Sequence, residues 1–327
     1  MSKASTIRSV IYGVLIALVL FEAFDFLGGY DYIKASAYQP TDEMKTIIEN
    51  LDLTDRGQRI YKATSPNLDS RDVFNEKCDS HNKEVYVLGC YLTGDDVIHL
   101  YNVEESELSG IKEATAAHEL LHAVYNRLPF WEKSSLNGKM KKVYDELSED
   151  NDIKESMKLY GEDDFYDELH SRLGTEIKEL PQELENHYAA IFNNQDKIVD
   201  YYNQYSDTFK KLEDEVNSIA KRLGELQKSI DDEEARLQTT STELNKRIED
   251  YNSRVRAHNY TSENVIIAEG EKLQAEINTI NAAYDSLNKS IDEYNNLIVE
   301  YNNSVVHTNK VFNSINSNSE RIETINN

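Results

Sequence analysis

The chain has 327 residues, with 60 Asp and Glu against 35 Lys and Arg, a formal net charge of −25. That balance excludes a nucleic-acid surface, which needs clustered cations, and opposes lying along an anionic membrane. The length admits one catalytic domain plus a further element.

In chain order, Lys3 and Arg8 precede an apolar run from Val10 to Phe21, which extends to Leu27 if Glu22 and Asp25 are tolerated. About a dozen apolar residues suit a signal peptide, whereas about 20 are needed to span a bilayer. The longer run predicts a transmembrane anchor over residues 1–30, N-terminus in the cytoplasm and everything beyond outside. Cleavage near Ala35 to Ala37 is the alternative and would make the chain secreted.

Residues 31–195 are expected to form a compact α+β domain, mostly α. Thr41 is a capping residue ahead of Met44, Ile47, Ile48 and Leu51 at helical spacing. Two short runs rich in β-branched and aromatic residues, EVYVLGCYL and VIHLYNV, flank TGDD and predict a β-hairpin whose second strand offers a substrate-binding edge. Cys78 and Cys90 are the chain's two cysteines. In an exported domain they are expected to pair as a disulfide, and a two-cysteine metal site is the weaker alternative. From Gly110 the pattern is helical: one helix stops before Pro129, another follows Ser134, and a third covers about 163–180 before Pro181.

Residues 196–327 differ in kind. Tyr205, Phe209, Leu212, Val216, Ile219, Leu223, Leu226 and Ile230 alternate in steps of four and three. Leu237, Leu244, Ile248, Tyr251 and Val255 extend the stripe, and Leu273, Ile277, Ile280, Tyr284, Leu287, Ile291, Tyr294, Ile298, Tyr301 and Val305 resume it after HNYTSEN. Two such helices around one polar turn predict an antiparallel coiled-coil hairpin, an arm of about 75 Å at about 1.5 Å per residue. Ordinary helix-bundle core is the competing reading. A coil does not catalyse; it spaces, docks a protein partner or self-associates.

The chemistry-bearing stretch is KEATAAHELLHAVYNRLP, residues 112–129. On a helix, His118 and His122 project from one face and can point two imidazoles at one ion. Glu119 lies beside them, placed to take a proton without ligating. With eight histidines in the chain, chance predicts about 0.02 such H-E-x-x-H motifs, which disfavours an incidental pair.

This motif resembles that of the zincin metallopeptidases. Tyr125 and Leu128 stand where the metzincin branch needs Gly and His, so the resemblance is to the gluzincin branch, whose third ligand is a glutamate on a later helix. That resemblance implies one Zn²⁺ held by His118, His122 and a residue of DDFYDELHSRLGTEIKEL. Glu168 is the first choice; Glu176 and His170 are the alternatives. Four residues after Glu168, where gluzincins often carry an orienting aspartate, this chain has Arg172. His170 and Arg172 are candidate oxyanion donors, with Tyr125 and His187 behind them, whereas His81 and His99 read as surface residues.

The expected function is therefore a membrane-anchored zinc peptidase outside the cytoplasm, with Glu119 as general base and a peptide or protein substrate. The alternative is a non-catalytic platform that presents the coil to a partner.

Overall fold

The computed structural model describes residues 28–78 and 87–315. The described chain divides into two compact units, one running through Phe209 and resuming at Val311, the other Lys210–Lys310. Both boundaries fall inside long helices.

The first unit begins with α1 (Gly29–Ala37), α2 (Asp42–Asn50) and α3 (Asp55–Ala63). Thr41 and Thr54 cap α2 and α3, each hydroxyl accepting from a backbone amide of the first turn. β1 (Asn67–Asp69) leads to α4 (Arg71–Cys78), then β2 (Gly89–Leu92) and β3 (Val97–Tyr101). The remainder is α5 (Ile111–Asn126), α6 (Phe130–Glu146), α7 (Asp152–Met157), α8 (Glu162–Glu176) and α9 (Gln182–Tyr188). Two long helices follow, α10 (Gln195–Arg256) and α11 (Glu263–Ile315).

The three strands order β1-β3-β2. β2 and β3 pair antiparallel as the hairpin predicts, but β1 adds parallel to β3, with Asn67 opposite His99. The second hairpin strand is therefore central, and β2 supplies the edge instead. The three-residue β1 carries too short a pattern to read from sequence, because alternation needs about four residues or more. Ile98 and Leu100 point into the core, while His99, on the other face, pairs with Asp69 at 2.6 Å rather than facing solvent.

Packing of α5 against α8 organises the unit. Leu120, Leu121 and Val124 share one apolar core with Leu169 and Leu173, closed by Met44, Tyr61, Tyr188 and Phe192. Gly174 makes the approach possible, since a Cβ there would stand 2.4 Å from Leu121 Cδ1 and 2.5 Å from Tyr188 Cε1. Two helix bounds depart from expectation. α6 starts at Phe130, ahead of Ser134, because the extended backbone of Pro129 supplies the N-cap and its carbonyl accepts from Lys133 N at 3.0 Å. α8 ends at Glu176 because the Gln195 amide takes the carbonyls of Gly174 and Ile177 at 3.2 and 3.1 Å.

The second unit is a long helical hairpin, and its cross-helix contacts fix an antiparallel pairing. Ile219 and Leu223 cluster with Leu297 and Ile298, Ile230 and Leu237 with Leu287, and Arg247 pairs with Glu276. Across the end nearest the turn, Arg254 meets Glu269. The stripe on α10 follows the sequence pattern to Tyr251, after which half-buried Arg254 replaces the exposed Val255. On α11 the seam runs through Ala283 and Ser290, and their neighbours Tyr284 and Ile291 are 38% and 36% exposed.

The anchor expected over residues 1–30 lies, except for its last three residues, outside the described residues. Among the described residues no helix is long and apolar enough to cross a membrane.

Candidate metal centre

α5 delivers His118 and His122 one turn apart, and α8, held against it by Gly174, delivers Glu168. Glu168 Oε1 lies 3.6 Å from His118 Nε2, Glu168 Oε2 lies 3.5 Å from His122 Nε2, and the two imidazole nitrogens are 3.2 Å apart. These three residues lie close enough to hold one metal ion, with one ligand atom from each within 4.8 Å of the others. Both histidines are partly buried and Glu168 is buried.

The surroundings set the charge states. Burial opposes a charge on Glu168, but His118, His122 and Arg172 outweigh it and hold its carboxyl well below the usual range. Burial likewise pushes His122 down, yet Asp167, Glu119 and Glu168 raise it to about 10. Glu168 is thus held as a carboxylate between the two histidines and Arg172. Glu168 Oε1 is buried and already faces a cation, the Arg172 guanidinium, whose Nε lies 2.6 Å away.

Asp167 completes the centre. Its Oδ1 lies 2.9 Å from His122 Nδ1, so Nδ1 donates there and Nε2, beside Glu168, is the nitrogen that would offer a lone pair to an ion once its own proton has left. Sequence reasoning sought this orienting carboxylate four residues beyond Glu168, where Arg172 stands. The structure supplies it one residue before, and to the second histidine. The only signal was an aspartate adjacent to the candidate ligand.

The other sequence candidates fall on either side of this cluster. Arg172 Nε is 2.6 Å from Glu168 Oε1 and Arg172 NH1 is 3.0 Å from Glu176 Oε1, so one guanidinium bridges two carboxylates along α8. Glu176 is engaged there and is not drawn in with the histidines. His170 is turned away, its Nε2 2.8 Å from His187 Nε2 and its ring against Tyr125 and Tyr188. Burial pushes His170 well below its ordinary value, and burial with the nearby cations Arg56 and Lys139 lowers His187 to about 4. That histidine pair is a neutral core contact. Tyr125 donates to Asn137 Oδ1 at 2.9 Å. His81 lies outside the described residues.

The cluster opens into a cleft of about 550 Å³. Glu119, Arg172 and Glu176 line it, β2 forms one wall, and Tyr202, Tyr205 and Phe209 of α10 line another part. Glu119 is buried against β2, where a Cβ on Gly89 would stand 2.7 Å from Glu119 Oε1. The α10 contribution was not foreseen, because those residues belong to the apolar stripe of the long helix. Cys78 and Cys90 form a disulfide tying α4 to the wall strand β2.

Compared with models of known families, characterised proteins and solved structures, the chain matches none.

Proposed function

We propose that this chain is a zinc-dependent peptidase of zincin type, working outside the cytoplasm from an N-terminal membrane anchor. The observation that carries the reading is the convergence of His118, His122 and Glu168 in a cleft that also contains Glu119. Zinc bonds of about 2.0–2.1 Å at tetrahedral angles set ligand atoms about 3.3 Å apart, close to the 3.2, 3.5 and 3.6 Å found here. Two imidazoles and one carboxylate also leave a fourth position for solvent or substrate.

A zinc ion bound there would polarise a peptide carbonyl and bring water's pKa towards about 7. The rest falls to the chain's own residues. Glu119 accepts the water proton and returns it to the leaving amine. Asp167 fixes the His122 tautomer. Arg172, drawn between Glu168 and Glu176, adds to His118 and His122 in keeping Glu168 ionised and presents positive charge at the cleft, where an oxyanion would form. β2 offers an edge against which an extended peptide can lie. The disulfide suits an oxidising compartment, which supports export together with the apolar run of residues 10–27.

The test is metal content and hydrolysis of an unstructured protein such as casein. Wild type should carry one zinc per chain and cleave. Glu119→Gln should keep zinc and lose cleavage; His118→Ala should lose both. Glu168→Ala should weaken zinc far more than Glu176→Ala. Absence of zinc from wild type, or cleavage by Glu119→Gln at the wild-type rate, would overturn the mechanism.

A further inference from the structure

Apart from the cleft, the first unit carries large apolar side chains that are exposed among the described residues. On α1, Tyr30, Tyr32 and Ile33 are 58%, 68% and 56% exposed, and on the first turn of α6, Phe130 and Trp131 are 83% and 63% exposed. Chain distance separates the two groups, but one ion pair joins them. Arg127 donates through Nε and NH2 to both oxygens of Asp31 at 2.9 Å, so the residue between Tyr30 and Tyr32 is pinned to the segment that leads into Phe130. The same guanidinium grips Asp96, which also accepts from Lys34 one turn along α1. The aromatic and aliphatic groups therefore sit on a cross-braced base.

We propose that this face rests on the bilayer surface, with Tyr30, Tyr32, Ile33, Phe130 and Trp131 entering the headgroup boundary. It rests on the anchor reading of residues 10–27 and is independent of the peptidase chemistry. α1 starts two residues after the apolar run ends at Leu27, so a chain held in the bilayer by that run brings α1 to the interface by connectivity alone. Tyrosine and tryptophan combine an apolar body with a polar edge, the composition favoured at that depth. Monomeric proteins seldom leave such groups bare unless something covers them. A net charge of −25 removes attraction to anionic lipid, so the contact is apolar, needs no charged headgroup and does not weaken with salt.

Trp131 is the chain's one tryptophan and reports on the face directly. The full chain is reconstituted in phosphatidylcholine vesicles, with or without bromine on the acyl chains. The expected result is flotation with the vesicles, a blue-shifted emission, and a loss of intensity on brominated lipid that high salt leaves unchanged. A second probe, Tyr32→Trp in a Trp131→Phe background, should lose intensity in the same way. Flotation without quenching at either position would overturn the proposal and leave the anchor standing. Failure to float removes the anchor and the proposal together. A blue shift that grows with protein concentration and ignores brominated lipid would mean that a second copy covers the face, and would also overturn it.

Discussion

At the scale of single residues, the centre depends on side chains that never touch an ion. Asp167 fixes the His122 ring by one hydrogen bond. Orienting partners of metal-bound histidines are worth about 10–100-fold in affinity, so Asp167→Ala should weaken zinc by about that factor, read by competition with a chromogenic chelator. Unchanged affinity would show that the ring is held by packing alone. Gly174 acts through space. Any side chain there must displace Leu121 and Tyr188, and overpacking of this kind costs about 1–3 kcal/mol. Gly174→Val should lower the unfolding midpoint and, by separating α5 from α8, weaken metal binding in the same variant. His118 and His122 were legible as a pair because helical geometry alone puts them on one face. Asp167 was not, because its partner lies 45 residues away.

At the scale of elements, two contacts can be tested by stability. The Asp31–Arg127–Asp96 bridge ties α1 to the end of α5 and to the turn between β2 and β3, with side chains only 15–23% exposed. Burial opposes the charge on Asp96, but Lys34, Arg127 and Tyr91 outweigh it and depress its pKa. A depressed carboxylate stabilises the fold fully above its unfolded value of about 4, and that contribution is lost as pH falls through the lower folded value. Asp96→Asn should therefore destabilise the chain at neutral pH, with the difference from wild type shrinking below about pH 4. Arg127→Ala, which takes the guanidinium from half-buried Asp31 and leaves Asp96 with Lys34, should destabilise the fold by less than the about 3–5 kcal/mol lost when a fully buried pair is broken. In the hairpin, Leu223 is buried against Leu297 and Ile298. Leu223→Ala should cost about 2–5 kcal/mol of local helix stability, seen as faster amide exchange within 210–310 while the first unit keeps its protection. Equal loss of protection in both units would show that they unfold as one.

At the scale of the whole molecule, the disulfide joins α4 to β2 within an apolar cluster that also holds Phe74, Leu92 and Tyr101. Cys78 and Cys90 are 12 residues apart, and closing a loop of that size stabilises by about 3 kcal/mol in the chain-entropy view. Reductant should lower the denaturation midpoint by a comparable amount, and the native chain should show no titratable thiol until then. Free thiols in protein purified from an oxidising compartment would remove one support for export.

The sequence by itself determined whatever is periodic or local. The 4-3 stripe specified the helical hairpin, because burial of one face forces that repeat regardless of what else the chain contains. H-E-x-x-H specified two imidazoles on one helical face. Thr41 specified a helix start, and TGDD a turn between two strands. Tertiary structure alone decided which of the later acidic residues joins the histidines. Glu168 and Glu176 lie two turns apart on α8 with similar local surroundings. Glu168 meets the imidazoles and Glu176 remains with Arg172, because Gly174 sets where α8 crosses α5. The parallel pairing of β1, the exchange of the sheet edge from β3 to β2 and the α10 wall of the cleft were settled in the same way. Each is a contact between segments far apart in the chain, and its energy comes from surfaces that exist only once the helices have packed.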